Sequence, residues 1–110
     1  MQVNKELAGK AKYGVEEYGE PICLKEMSLE YYLIESDSSN QKSDKLNVYG
    51  IEIIKTEVDK SNSVKTEFEL VPNISSDKEG VKEILDKLVR YKVTPIALHD
   101  VLEDFSRIMN

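Results

Sequence analysis

The sequence predicts an α+β fold in which an antiparallel β-meander is followed by a C-terminal two-helix hairpin packed on one face of the sheet. Two observations predict it. Apolar residues alternate with a period of two as far as Leu70, and beyond Ser76 they recur at the helical spacing of three and four residues. Because composition does not change near the middle of the 110 residues, we expect one domain, 1–110, with one core.

The clearest strand is the run from Val64 to Leu70. Its apolar and polar residues alternate, which is typical of a strand with one buried and one solvated face. Pro72 is expected to end the strand, because proline cannot donate to the ladder. Helices in a two-layer domain cover the apolar face of the sheet. In this strand that face carries Val64, Thr66, Phe68 and Leu70.

Two further strands precede this one within a meander predicted at 25–71. Residues 46–58 are rich in β-branched side chains, and Gly50 among them indicates a bulge. Residues 27–35 also alternate and form the other strand. The segment 1–24 is either a poorly defined arm or an extra strand. About three strands are therefore predicted, and a fourth is left open.

Two helices are predicted within residues 76–109. Ser76, followed three residues later by Glu79, matches a capping box at the start of the first helix. Thr94 and Pro95 fit the N-cap and first position of the second. The short connection makes the helices antiparallel or sharply angled neighbours. Their apolar stripes consist of Val81, Ile84, Leu85 and Leu88, and of Leu98, Val101, Leu102, Phe105, Ile108 and Met109.

Composition restricts the classes of partner. The formal net charge of −6 disfavours nucleic acid, since binding to a phosphate backbone depends on lysine and arginine. The single cysteine, Cys23, cannot form an internal disulfide. The N-terminus lacks the apolar region of a signal peptide, and no apolar run is long enough for a membrane span. We therefore expect a cytoplasmic protein that binds neither nucleic acid nor membrane.

The single histidine, His99, is the most conspicuous candidate for a metal or catalytic site. Helical spacing places Glu103 beside it, but two ligands fall short of the three or four protein ligands of a zinc site. Cys23 could pair with His99, yet nothing around the cysteine resembles an activated nucleophile. Phosphate-binding glycine motifs are absent. The sequence thus predicts no metal site, no catalytic residue and no cofactor.

The leading hypothesis is a non-enzymatic protein–protein interaction or regulatory module, acting on a protein partner or by self-association. Six tyrosines outnumber the other aromatic residues, and tyrosine is enriched at interfaces. The alternative is a small enzyme or ligand-binding domain. It would use the His99 region or carboxylates expected to share the exposed face of the sheet, such as Glu30, Glu52, Glu67 and Glu69. The predicted interaction surface comprises Tyr31, Tyr32, Ile34 and Tyr49. The alternative for Tyr32 and Ile34 is that they pack under the N-terminal arm.

Several motifs resemble a family of small uncharacterised proteins from clostridial-type Firmicutes. They are the strand motif Tyr49 to Glu52, the helix start NISSDK at 73–78, and the helix motif PIALHDVLEDF at 95–105. Members usually carry histidine directly after the Pro-Ile pair, where this chain has Ala97. No role for His99 is therefore carried over. The resemblance implies the architecture described above and a bacterial cytoplasmic origin, without an activity or cofactor.

Overall fold

A computed structural model describes residues 3–13, 24–37 and 47–109 of the chain. Four antiparallel strands form one sheet in sequence order, followed by two C-terminal helices. The predicted α+β class is confirmed, with four strands rather than about three. The additional strand lies in the predicted N-terminal arm. The strands are β1 (Val3–Tyr13), β2 (Leu24–Asp37), β3 (Asn47–Asp59) and β4 (Val64–Ser75).

The turn between β3 and β4 fixes the register of this hairpin. The Asp59 carboxylate accepts hydrogen bonds from the backbone N–H groups of Ser61 and Ser63, each at 2.9 Å. Asn62 has a positive φ of 68°, a conformation that asparagine tolerates better than most residues. The turn therefore sets Val58 opposite Val64, and every later pair of the hairpin follows from that pair.

This register places the helices on the face of the sheet that carries Ile51 and Ile53. Ile53 pairs with Glu69, so the acidic residues of β4 lie on the same face as the isoleucines of β3. The expectation that the helices cover Val64, Thr66, Phe68 and Leu70 is therefore wrong, because these residues point away from the helices. We call the two sides the helix-covered face and the helix-free face.

Both predicted helices are present, with different starts. The first, α1 (Lys78–Arg90), begins after Asp77, which takes the N-cap position without a side-chain cap bond. The predicted Ser76 cap is wrong, because the helix begins one residue later and Asp77 is its N-cap. The Asp77 N–H donates to Ser75 Oγ at 3.0 Å. Thr94 caps a short 3₁₀ turn, Pro95–Ala97, which leads into α2 (Leu98–Met109).

The core lies between the helices and the helix-covered face. All four residues of the α1 stripe are buried, as predicted, and Leu98 at the start of α2 is fully buried. The side chains at 106–109, which include two residues of the predicted α2 stripe, lie outside the description. The described core consists of Met27, Leu29, Tyr31, Leu33, Tyr49, Ile51, Ile53, Val81, Ile84, Leu85, Leu88 and Leu98.

Pro72 does not end β4, as it was expected to do. It falls in an irregular stretch where the register shifts between the Ile51–Val71 and Tyr49–Ser75 pairs. Because β4 is an edge strand, a missing N–H is tolerated there. Gly50 lies opposite this stretch, so the ladder is irregular at the glycine as predicted, but the extra residues belong to β4 and not to β3. A Cβ atom at Gly50 would overlap the carbonyl oxygens of Val71 and Pro72.

The two edge strands, β1 and β4, differ in how open they are to pairing. The β1 register shifts between Leu7 and Gly9, which disrupts a regular ladder. Three lysines also lie along β1 and discourage the approach of another strand. The β3–β4 ladder stays in regular register from Val58–Val64 to Ile51–Val71. The bulge and the lysines thus blunt the β1 edge, whereas β4 is regular over eight residues.

Candidate interaction surface

An exposed group of apolar side chains lies on the helix-free face along β4. Phe68 is 65% exposed, Val64 64% and Leu70 41%. Alternation along one strand puts the three on the same side of the sheet, although large apolar residues are usually buried. We call Val64, Phe68 and Leu70 the β4 apolar row. A row of this kind is the usual signature of a surface that contacts another molecule.

Neighbouring strands extend this apolar surface on one side. Ile54 lies opposite Phe68 in the ladder, and Val58 lies opposite Val64. Both are partly buried. Directly opposed residues of an antiparallel pair have side chains close enough to touch. The exposed row is therefore continuous with the β3 side chains beside it on the same face.

A charged and aromatic cluster lies on the same face, towards β1. Lys5 Nζ lies 2.7 Å from Glu52 Oε1 and 4.2 Å from the centroid of the Tyr32 ring. The hydrogen bond to Glu52 raises the pKa of Lys5 above its ordinary value. Burial, together with the nearby Glu30 carboxylate, raises the pKa of the Tyr32 hydroxyl. These groups satisfy one another and make the centre of this part of the face polar, while Val3 and Leu7 of β1 expose apolar side chains beside them.

The structure distributes the four residues of the predicted interaction surface between the core and the helix-free face. Tyr31 and Tyr49 belong to the core, and Ile34 is 4% exposed. Tyr32 alone of the four keeps partial exposure, on the helix-free face. That these residues contact a partner stays a prediction. Three of the four are buried, whereas the apolar residues of β4, which are expected from the sequence to lie in the core, are exposed.

The side chain of His99 contacts a residue of β4 and not a residue of its own helix. Its Nε2 lies 3.1 Å from Glu69 Oε2 of β4, and both side chains are substantially exposed. Helical spacing predicted Glu103 as the neighbour and could not reveal a contact from β4. Within the described ranges, no three of His, Cys, Asp and Glu are placed to hold a metal ion. The possible partner Cys23 lies outside the described residues.

The four carboxylates proposed to share one sheet face lie on both. Glu30 and Glu52 are on the helix-free face, whereas Glu67 and Glu69 are on the helix-covered face. The expectation of a single carboxylate surface is therefore wrong, for the same reason of register. Lys55 Nζ lies 3.3 Å from Glu67 Oε2 and 3.0 Å from Glu57 Oε1.

The ion pairs around Lys55 shift the pKa values of their members. Burial of Lys55 by itself lowers the pKa of its ammonium, but hydrogen bonds to Glu57 and Glu67 outweigh burial and raise it. Hydrogen bonds from Lys65 and Lys55 lower the pKa of Glu67. The group is a structural ion-pair network in which the charged forms stabilise each other.

An open groove of about 370 Å³ runs beside the edge of β4. Phe68 and Glu69 line it from the strand, and Pro95 and Ile96 line it from the 3₁₀ turn. Ile96 is 87% exposed. The apolar row, the strand edge and Ile96 therefore lie next to one another on one side of the molecule.

One known protein family matches most of this chain. A model described as a family of unknown function, DUF6514, matches residues 23–107. The chain belongs to this family. The match to DUF6514 spans the chain from the start of β2 to near the end of α2 and leaves β1 outside it. No curated protein and no solved structure gives a match to the chain.

Among the described residues of this DUF6514 member, neither helix is long and apolar enough to cross a bilayer. The β4 apolar row is the feature that sequence reasoning missed. The turn at 59–63 was the signal that could have revealed it, because it sets the register of the hairpin.

Proposed function

We propose that this DUF6514 member is a non-enzymatic protein–protein interaction module that binds through the β4 side of its helix-free face. One observation carries the proposal. An amphipathic strand turns its apolar side to solvent, leaving Phe68 65% and Val64 64% exposed. Aromatic and aliphatic side chains grouped in this way are typical of the energetic centre of an interface.

The composition of the face supports the same proposal. The Lys5–Glu52 pair and Tyr32 provide a polar margin beside an apolar centre, and interfaces are commonly arranged in this manner. The groove between β1 and α1, in contrast, is lined mainly by charged residues. Its apolar lining includes Leu7, Leu33 and Leu85. Small-molecule sites are mostly apolar with a few polar groups, so this groove offers less support for a ligand-binding domain.

The test is a comparison of three immobilised proteins in a lysate of the source organism. They are the wild type, Phe68→Ser and Tyr91→Ser. Tyr91 is 70% exposed and follows α1, far along the chain from β4, which makes it a matched control. We expect a protein, another copy of the chain included, that binds the wild type and Tyr91→Ser but not Phe68→Ser. Equal capture by all three proteins would contradict the proposed surface.

A further inference from the structure

We infer that a second copy of the chain pairs with β4, its own β4 running antiparallel across a two-fold axis at Thr66. The two sheets would then form one continuous sheet of eight strands. This inference rests on the proposed function, because it names the partner of the same surface. Three features of β4 support it: the free edge, the order of charges and the order of apolar residues.

The direction of the backbone groups on β4 follows from the hairpin turn. The Asp59 N–H donates to the Ser63 carbonyl at 3.0 Å, so these two residues form a hydrogen-bonded pair. In an antiparallel ladder such pairs alternate with non-hydrogen-bonded pairs. Residues 65, 67 and 69 therefore turn their N–H and C=O groups towards β3. Val64, Thr66, Phe68 and Leu70 turn theirs to the outer edge.

The outer edge of β4 is open over these residues. The strand ends the sheet in the described part of the chain, and residues 64–66, 68 and 70 are all exposed. Unpaired N–H and C=O groups along a regular strand are a template for pairing with another chain. The edge can thus supply the backbone hydrogen bonds of an intermolecular ladder.

The order of charged residues along β4 favours a second copy of the chain as the partner, with Thr66 at the axis. With Thr66 opposite Thr66 of the second copy, Lys65 of each copy faces Glu67 of the other. Two opposite-charge pairs result, both in non-hydrogen-bonded positions, where side chains approach most closely. The exposed fraction of the Lys65 side chain is 71%, and that of Glu67 is 38%, so both can reach a partner.

Neighbouring registers place like charges opposite each other. A shift of one residue at the axis in one direction sets Glu67 against Glu67 at the axis itself, beside two opposite-charge pairs of Lys65 with Glu69. A shift in the other direction sets Lys65 against Lys65. A further shift towards the C-terminus sets Glu67 against Glu69 twice. Like charges directly opposite are destabilising. The register centred on Thr66 avoids all of these like-charge pairs.

The same register joins the apolar residues of the helix-free face. Val64 of each copy faces Phe68 of the other, and pairs of an aromatic and a β-branched residue are favourable across strands. Both residues are about two-thirds exposed in the single chain. Pairing would bring them into contact, reduce their exposure and merge the two β4 apolar rows across the axis.

The first test removes a hydrogen-bond donor at the axis. The Thr66 N–H faces outward, so Thr66→Pro leaves the β3–β4 ladder intact, while the two bonds exchanged at the axis are lost. Light scattering after size exclusion should give twice 12.6 kDa for the wild type and for the control Thr66→Val. Thr66→Pro should give a single chain. Circular dichroism of each variant verifies that it is folded.

The second test exchanges charges between two copies. Lys65→Glu alone and Glu67→Lys alone should each weaken the dimer roughly tenfold, because each sets two like-charge pairs across the axis. A mixture of the two variants should form a heterodimer, since the carboxylate introduced at position 65 of one variant would then face the ammonium introduced at position 67 of the other. Glu69→Lys is the matched control: one like-charge pair remains when it meets Lys65→Glu, so it should pair with that variant no better than the wild type does.

A monomeric wild type, or a Thr66→Pro variant that still dimerises, would overturn the inference. Restoration by Glu69→Lys in place of Glu67→Lys would overturn the register. If the wild type is monomeric and yet captures another protein through Phe68, self-pairing fails while the proposed function stands. If mutation at Phe68 changes neither capture nor self-association, the proposed function fails as well.

Discussion

The hydroxyl group of Tyr31 donates a hydrogen bond of 2.9 Å to the carbonyl oxygen of Val93. Tyr31 lies in the middle of β2 and is fully buried, whereas Val93 belongs to the connection between the helices. The bond spans 62 positions of sequence. It ties the turn from α1 into α2 to the centre of the sheet and satisfies a carbonyl that the connection leaves without a helical partner.

We expect Tyr31→Phe to lower the free energy of unfolding by about 1–2 kcal/mol, because it leaves the Val93 carbonyl without this donor. Urea unfolding followed by circular dichroism measures the change. Tyr91→Phe is the control, since Tyr91 is 70% exposed and its hydroxyl is open to water. An equal effect of the two substitutions would show that the bond to Val93 contributes nothing particular.

The two faces of the sheet should respond differently to truncation. Leu85 is 1% exposed against the helix-covered face, and Leu70 is 41% exposed on the helix-free face. Leu85→Ala leaves a cavity and should cost about 2–4 kcal/mol of unfolding free energy. Leu70→Ala should change it by no more than about 0.5 kcal/mol at concentrations where the chain is a single copy. A large cost at Leu70 would mean that the helix-free face is part of the folded core.

Gly50→Ala should be strongly destabilising. The added Cβ would overlap the carbonyl oxygens of Val71 and Pro72, and backbone atoms cannot move aside as a side chain can. A loss of about 1–3 kcal/mol is expected from this overpacking. Gly80→Ala is the control, because its Cβ would meet only the Asp77 side chain, which makes no cap bond and is free to rotate. Thermal melts of the two variants should therefore differ clearly.

Asp59 should contribute to the dependence of stability on acidity. Hydrogen bonds from Ser61 and Ser63 lower the pKa of this carboxyl below its ordinary value. Its contribution is therefore present above the pKa of the unfolded chain and is lost as pH falls through the lower folded pKa. Asp59→Asn should reduce the decrease of unfolding free energy that accompanies acidification. Urea titrations between neutral pH and about pH 2 measure this decrease. The Ser61 hydroxyl also donates to the Asp59 carboxylate, at 2.7 Å. Ser61→Ala removes this donor and keeps the backbone donors, so it should give an intermediate result.

The helical half of the fold follows directly from the sequence. The stripe of α1 is buried at every predicted position, as is Leu98 in α2. The spacing of three and four residues determines one side of a helix uniquely, and packing on a sheet then requires that side to face inward. The irregular pairing at Gly50 could also be predicted, because glycine within a strand marks a close backbone approach.

The orientation of β4 could not be predicted in the same way. Alternation divides Val64–Leu70 into two sides without saying which side the helices cover. Pairing decides this, since the turn sets Val58 opposite Val64 and so places Glu69 beside Ile53. One residue of difference in the turn would exchange the sides. The contact of His99 with Glu69 was hidden for the same reason.

The unlike edges of the sheet also limit how far the chain can assemble. An interface made by two copies of the same edge is closed by its two-fold axis, so β4 pairing uses up the β4 edge of both copies. What remains outside is β1, with its register shift between Leu7 and Gly9 and its lysines. Those lysines would repel the lysines of another β1 strand. Assembly would therefore stop at two copies, because the β1 edge discourages the further strand pairing by which fibrils grow.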